Sequence, residues 1–250
     1  VWSGRVSPVS WAGPKRHRPP GIAFDDLPPI DVVLVSHDHF DHMDLPTLRR
    51  LARKFHPRIV TGLGNARYLA AQSVAGAQDV DWWQTVWLAP GVRVTGVPAQ
   101  HWSARTLFDK WRTLWLGFVI EGPSGSIYFA GDTGLGEYLP LIRARFARLR
   151  LALLPISPAR PRDAMAARHM SAGDAVRADS TLGAATAVAI HFGTFQQGDD
   201  GENEPLDSLR AALAARGCAP RFWALRNGEA RFIPQVESRA ACVHVAGTAP

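Results

Sequence analysis

Residues 36–44 of this 250-residue chain read SHDHFDHMD, and His37, His39, Asp41 and His42 within it are metal-ligand types spaced H-x-H-x-D-H. On an extended chain, residues two apart point the same way, so His37 and His39 can grip one metal together. A turn toward a following helix would send Asp41 and His42 in a second direction. Four such side chains within six residues, in a chain of only nine histidines, point to a metal site rather than to solvated surface. Two metals need further ligands, and the sequence offers them where strands should end: His101 in PAQHW, Asp132 in GDTG and His191 in HFGTF. His169, in RHMSAGDAV before a helix, is a further candidate. No G-x-S-x-G nucleophile elbow is present, and the glycine spacing of GDTGLG at 131–136 is accounted for by Asp132. His17, His56 and His244 lack ligand spacing and read as solvent-facing, while Trp82, Trp83 and Trp87 read as packing residues.

The elements that must hold these residues follow from hydrophobic patterning. Residues 30–36 (IDVVLVS) form a continuous β-branched run of the kind buried on both faces. Further strands are predicted at 58–61, 92–98, 116–121, 126–130, 151–155, 185–191, 221–225 and 229–233. Helices are predicted at 45–55, capped by Asp44 with Pro46 in the first turn, and at 65–75, 136–147, 172–182 and 205–216, the last closed by Gly217. Helices scattered among many strands indicate a layered α/β fold. No linker divides the chain, which reads as one domain over 1–234 and a loosely ordered tail over 235–250.

Composition excludes several classes. With 46% hydrophobic and 20% charged residues, the chain is neither disordered, nor a coiled coil, nor a disulfide scaffold. No run of 18 or more apolar residues offers a membrane-spanning helix. The formal charge of +6 favours anionic partners. Lys15, Lys54 and Lys110 are the only lysines, a bias toward arginine that a GC-rich genome explains as well as function does. Cys218 and Cys242 read as unrelated thiols in a reducing compartment. The basic stretch KRHRPP at 15–20 reads as a solvated loop, with contact to lipid headgroups as the alternative.

The cluster SHDHFDHMD, together with His101, GDTG and the late His191, resembles the metallo-β-lactamase-fold hydrolases. SPVSWAGPKRHRPP, LPPIDVVLVSHDHFDHMD, DWW at 81–83, PAQHWSARTLFD, FAGDTG, the HM pair at His169 and IHFGTF resemble, more narrowly, the N-acyl-phosphatidylethanolamine-hydrolysing phospholipase D family and its bacterial relatives. The resemblance implies a four-layer αββα sandwich with a two-metal site at one edge. It implies two zinc ions, in a kind of site that iron or manganese can also fill. His37, His39 and His101 would hold the first and Asp41, His42 and His191 the second, with Asp132 bridging both. An aspartate where true β-lactamases usually carry cysteine implies phosphodiesterase, nuclease or thioesterase chemistry. The implied reaction is attack of a metal-bridging hydroxide on a phosphodiester, phospholipase-D-like, on N-acyl-phosphatidylethanolamine-type lipids. Asp132 and Asp41 would act in catalysis as well as ligation, with Asp41 orienting the hydroxide and His169 orienting substrate or stabilising charge. Trp102 and Arg105, flanking His101, are the candidates for substrate contact. The implied partners are a phospholipid or other phosphodiester, a peripheral membrane contact and a second copy in a homodimer, with no specific nucleic acid. The implied location is cytoplasmic, at the periphery of the inner membrane.

Two departures qualify that expectation. Relatives usually begin with a strand hairpin upstream of the SPVSWAGPKR segment, so the sandwich is expected to lack its first N-terminal strands and this chain to be poorly soluble. The loop 156–168 carries Ser157, Pro158 and Ala159 where relatives tend to carry Gly-Ala-Tyr, so acyl-chain recognition does not transfer if that loop walls the substrate entrance. Alternatives on the same residues are a sugar-phosphate lactonase, a nuclease, or a non-catalytic membrane-associated protein that keeps its metals structurally.

Overall fold

Alternation along each strand sorts side chains into separate cores, and the cores define the layers. The computed structural model describes residues 1–9, 11–146, 148–216 and 221–235. Three parallel strands, β1 (Val32–Val35), β2 (Arg58–Gly62) and β3 (Ala77–Val80), form one sheet in that order. On β1 and β2, Val33, Val35 and Ile59 face α1 (Leu45–Phe55) and α2 (Asn65–Ala71), packing with Met43, Leu48, Leu51 and Leu69. Leu34 and Val60, one residue along, face the opposite way and join Val94 and Phe118 of the second sheet and Leu116 just before β6.

That second sheet has seven strands, ordered β10-β9-β8-β7-β6-β5-β4. They are β4 (Thr85–Ala89), β5 (Val92–Val97), β6 (Gly117–Gly122), β7 (Gly125–Phe129), β8 (Leu149–Pro155), β9 (Thr186–Ile190) and β10 (Phe222–Trp223). On β6, Phe118 and Ile120 enter the core between the sheets, while Val119 points to a third cluster with Tyr128, Leu154, Ala175 and Leu182. Three helices cover this outer face: α3 (Tyr138–Arg145), α5 (Ala172–Leu182) and α6 (Glu204–Ala215). A one-turn helix, α4 (Arg162–Met165), interrupts the loop after β8. The order helix, sheet, sheet, helix is the expected αββα sandwich.

Strand direction brings the loops together. Strand β5 is antiparallel to β6 and β6 to β7, so β5 and β7 run the same way, and β8 and β9 are parallel to β7. The C-terminal ends of β5, β7, β8 and β9 therefore lie along one edge of the sheet. The loop after β1 reaches that edge from the other sheet.

Several expectations need correction. The segment 229–233 is not a strand: the Arg150 guanidinium on β8 donates to the Ile233 and Pro234 carbonyls, and Phe232 is fully exposed. Asp44 occupies the N-cap position of α1 without a capping hydrogen bond, because the Ser3 N–H, the Ser3 hydroxyl and the Thr47 hydroxyl take its carboxylate. The 15–20 stretch is a loop with Lys15, His17 and Pro19 exposed, as expected, but it is anchored to the body of the protein. Arg16 donates to the Ser3 and Val1 carbonyls and lies over the Phe195 ring, and the His17 N–H donates to the Thr194 carbonyl. Trp83 packs against the outer core, but Trp87 on edge strand β4 is exposed. Strands β3 and β4 and helix α4 were not expected. His17 and His56 are exposed as predicted, with His56 closing α1 in the left-handed region. Gly217, Cys218, Cys242, His244 and the tail beyond 235 lie outside the described residues.

Candidate metal centre

Each candidate ligand stands just past a strand end. His37, His39, Asp41 and His42 follow β1, His101 follows β5, Asp132 follows β7, and His191 follows β9 directly. The structure brings all seven together, with His169 beside them. His39 Nδ1 lies 2.9 Å from His37 Nε2 and 3.1 Å from His101 Nε2. On the other side, His42 Nε2 is 2.9 Å from Asp41 Oδ2 and 3.2 Å from His191 Nε2, and His191 Nε2 is 3.1 Å from Asp41 Oδ2. Asp132 stands between the two groups. Its Oδ2 is 3.1 Å from His42 Nε2 and 3.9 Å from both His37 Nε2 and His101 Nε2, and its Oδ1 is 3.2 Å from His191 Nε2.

The far nitrogen of most rings is anchored, which fixes the nitrogen that faces the centre. The His101 Nδ1–H donates to the Arg168 carbonyl at 3.0 Å, and the His191 Nδ1–H to the Ser157 carbonyl at 2.7 Å. The Ser36 hydroxyl sits 3.0 Å from His37 Nδ1 and 3.4 Å from His42 Nδ1, one ring on each side of Asp132. His191 is held with φ at 60°, a left-handed conformation that costs roughly 1–3 kcal/mol for a residue with a Cβ. Gly131 has φ at 62° and lets the chain turn beside Ser36, where a Cβ would meet the Ser36 Cβ at 2.8 Å.

Burial and charge set the protonation of these groups. Burial pushes His37 well below the usual imidazole range, and neighbouring His42, His101 and His39 push it further. Burial also lowers His39 to about 4, His101 to about 3 and His169 to about 4, with Asp132 opposing it at each. For Asp41 and Asp132 burial acts upward, yet His42 and His191 outweigh it and hold both carboxylates well below their usual range. Burial acts downward on His42 and His191, and the two aspartates overcome it and raise both.

The donor set fits divalent cations. Three histidines, His37, His39 and His101, offer ring nitrogens within one 4.8 Å group, and Asp41, His42, Asp132 and His191 form a second. His101, Asp132 and His169 make a third such group. Asp132 Oδ1 and His169 Nδ1 are buried without hydrogen-bond partners, as expected of atoms whose natural partner is a metal or substrate rather than protein. Imidazole and carboxylate donors of this kind suit zinc, iron or manganese alike.

The substrate candidates divide. Trp102 packs edge-on against His39, with ring centroids 4.5 Å apart, and lines a cleft of about 580 Å³ together with His39, Asp41, Asp132 and His169. Arg105 lines the same cleft, but its guanidinium is already engaged: Nη1 donates to the Asp38 and Met43 carbonyls, and the group lies 4.1 Å from the Phe40 ring centroid. The loop 156–168 does wall this entrance, through Pro158, Met165 and Arg168. Sequence reasoning missed the anchors. Ser36, the first residue of SHDHFDHMD, was the one with a readable signal. Asp38, inside it, is buried and accepts from the Ala104 N–H and the Thr113 hydroxyl, joining the metal loop to the loop that carries His101.

A family model described as a beta-lactamase superfamily domain matches residues 2–192. The chain belongs to the beta-lactamase superfamily. This superfamily member is 32% identical over 228 residues to N-acyl-phosphatidylethanolamine-hydrolyzing phospholipase D 1 of Caenorhabditis elegans, covering 86% of this chain and 64% of that one. The chain thus spans less than two thirds of that relative's length. A Caldivirga maquilingensis protein described as a metal-dependent hydrolase is 31% identical over 214 residues, covering 85% of each chain. Among solved structures, a metallo hydrolase from the archaeon Ignicoccus hospitalis shares the fold, with a TM-score of 0.63 at 22% identity over 83% of this chain and 82% of that one. The metallo-β-lactamase fold expected from the motifs is the fold observed. No helix among the described residues is long and apolar enough to cross a membrane.

Proposed function

We propose that this protein is a metal-dependent hydrolase that cleaves a phosphodiester, phospholipase-D-like, in lipids of the N-acyl-phosphatidylethanolamine type. The observation that carries the reading is the pair of donor groups with the Asp132 carboxylate between them at the base of a cleft. His37, His39 and His101 would hold one zinc, Asp41, His42 and His191 the other, and Asp132 both. Bound there, two divalent cations lower the pKa of a water to near neutrality and offset charge on a phosphoryl oxygen.

The chain's own groups supply the rest. Ser36 and the Ser157 and Arg168 carbonyls hold the ligand rings in position. His169, kept neutral at pH 7 by burial and 3.8 Å from Asp132 Oδ2, can hydrogen-bond a phosphoryl oxygen without competing as a cation. Trp102 offers an apolar wall beside the reacting phosphate, and Arg168, 5.4 Å from its ring centroid, adds positive charge at the mouth. In the overall reaction water oxygen joins phosphorus, the P–O bond to the headgroup breaks, and the headgroup leaves as its alcohol. The lipid assignment is supported by the similarity to N-acyl-phosphatidylethanolamine-hydrolyzing phospholipase D 1 of Caenorhabditis elegans.

The test couples metal analysis with hydrolysis of N-acyl-phosphatidylethanolamine and of bis-p-nitrophenyl phosphate, after reconstitution with zinc, iron(II) or manganese(II). Asp132→Ala should lose turnover of both substrates and at least one metal equivalent. Full activity in that variant refutes the two-metal reading, and turnover of the soluble ester alone refutes the lipid assignment.

A further inference from the structure

His191 leaves strand β9 at a fork. The pairing of β8 with β9 runs to Pro155 and Ile190, and the Ile156 N–H donates to the Ile190 carbonyl at 3.2 Å as its last rung. Beyond that rung the two chains part, and His191 turns with φ at 60°. A ligand ring on backbone that has left its ladder is steered by what its far nitrogen meets. For His191 that is the Ser157 carbonyl, which accepts the Nδ1–H at 2.7 Å. Whatever holds Ser157 in place bears directly on where His191 Nε2 points.

Farther along, the chain after His191 comes back against residues 157–160. Gly198 passes so close that a Cβ there would lie 2.7 Å from the Arg160 carbonyl oxygen and 2.7 Å from the Pro158 Cβ. The Asp199 N–H donates to the Arg160 carbonyl at 3.1 Å. Asp200 then reaches Ser157 itself: its Oδ2 accepts the Ser157 hydroxyl at 2.8 Å and the Ala159 N–H at 2.7 Å. Pro158, between those donors, has no N–H to give. The contact is polar rather than packed, since Asp200 and Ser157 both line a cavity of about 180 Å³. Both bonds fall on one carboxylate oxygen, and the other, Oδ1, is buried without a hydrogen-bond partner.

We propose that Asp200 is a positioning residue for the metal centre, acting through Ser157 on His191. By pinning Ser157 and Ala159 it holds the Ser157 carbonyl where the His191 Nδ1–H meets it, so that Nε2 faces Asp41, His42 and Asp132. The same grip sets Pro158, which lines the metal cleft. A carboxylate commonly bonds a ligand imidazole directly. Here one serine stands between the two, giving its hydroxyl to the carboxylate and its carbonyl to the imidazole. The group affected is that of Asp41, His42, Asp132 and His191. The group of His37, His39 and His101 is anchored elsewhere, by the Ser36 hydroxyl and the Arg168 carbonyl. This role rests on the metal-centre reading above and not on the identity of the substrate.

Because one oxygen accepts both bonds, asparagine can stand in for this carboxylate and alanine cannot. The experiment titrates zinc against a chelating indicator and follows the His191 Nδ1–H by NMR of protein carrying isotope-labelled histidine, the resonance being assigned by its loss in His191→Gln. In Asp200→Ala one zinc equivalent should bind about 10–100-fold more weakly while the other keeps its affinity. The Nδ1–H resonance should broaden into solvent exchange in the same variant, with zinc or without it. Asp200→Asn should keep both affinities and the resonance. Asp199→Ala, which removes the neighbouring exposed carboxylate and the same charge, should match the unaltered protein. Adding Ser157→Ala to Asp200→Ala should cost no further affinity, since the hydroxyl has already lost its acceptor. Unchanged zinc binding and resonance in Asp200→Ala overturns the proposal, and so does equal weakening of both equivalents. Equal loss in Asp200→Asn and Asp200→Ala overturns it too, by assigning the effect to charge. A lowered melting temperature with binding and resonance intact makes Asp200 a loop brace alone, which also overturns it. Failure of the unaltered protein to bind two zinc ions removes the metal-centre reading instead, and the resonance in the zinc-free variants then still decides whether Asp200 sets His191.

Discussion

Gly131→Ala tests the link between backbone geometry and the metal centre most directly. The residue sits at φ of 62°, and a Cβ there would lie 2.8 Å from the Ser36 Cβ, 3.1 Å from the Ser36 Oγ and 3.3 Å from the Leu116 carbonyl oxygen. A left-handed residue with a Cβ costs about 1–2 kcal/mol, and overpacking adds about 1–3 kcal/mol. The reduced freedom of the unfolded chain offsets about 0.4–1 kcal/mol. The net loss is about 1–5 kcal/mol, a fall in melting temperature of roughly 2–20 °C for a chain of this size. Ser36 cannot retreat freely, because its carbonyl accepts the Leu116 N–H at 3.0 Å. Its hydroxyl must shift instead, away from the His37 and His42 rings that it contacts. Loss of such a supporting contact weakens metal binding about 10–100-fold. Thermal unfolding followed by circular dichroism reads the first effect, and competition with a chelating indicator reads the second. Adding Ser36→Gly to Gly131→Ala should recover the overpacking share of stability without recovering metal affinity, and Ser36→Gly alone completes the cycle. A Gly131→Ala protein with unaltered melting temperature and metal affinity would refute the reasoning.

Three further outcomes are expected. His169→Gln should keep both metals and lower kcat for the soluble phosphodiester about 10²-fold, and loss of a metal equivalent would instead move His169 into the ligand set. Asp174→Asn should destabilise by about 2 kcal/mol at neutral pH, because this carboxylate completes the Ser171 capping box of α5 and pairs with Arg162 and Arg177. Burial acts upward on Asp174, but the Ser171 N–H and hydroxyl, with Arg177 and Arg162, hold it below the usual range. Its contribution is complete above the unfolded-state pKa of about 3.9 and lost as pH falls through the folded value, so the two melting temperatures should converge on acidification; a pH-independent gap would count against this. Chelation of metal should lower the melting temperature and added zinc restore it, since a cation that binds only the folded chain stabilises it. An unchanged transition after full chelation would contradict a built metal site.

The sequence disclosed the ligands better than their supports. Histidine and aspartate at tight spacing are rare enough to stand out, and each later ligand followed a β-branched run that could be read as a strand. The supports are of two less visible kinds. The carbonyls of Ser157 and Arg168 could belong to any residue, so composition cannot flag them. Strands β3 (AQDV) and β4 (TVWLA) lack a long β-branched run and owe their form to neighbours. Asp79 on β3, for instance, accepts the Gly64 and Ala66 N–H groups at the start of α2. The over-read strand at 229–233 failed in the opposite sense. Its pattern suited a ladder, but an arginine took the carbonyl of its last residue, Ile233, and that of Pro234 just beyond.

His37, His39, Asp41 and His42 hang from the three-stranded sheet, and His101, Asp132 and His191 from the seven-stranded one, so each proposed ligand group straddles the seam between them. A cation held there acts as a clasp, and pulling the two halves of the sandwich apart must first break its coordination. Amide exchange in β1 and β2 should then slow on metal loading even far from the cleft. During synthesis the group of His37, His39 and His101 could assemble once β5 was in place, whereas the group of Asp41, His42 and His191 would wait for β9, late in the chain. Filling of that second group would in this way report a completed seven-stranded sheet.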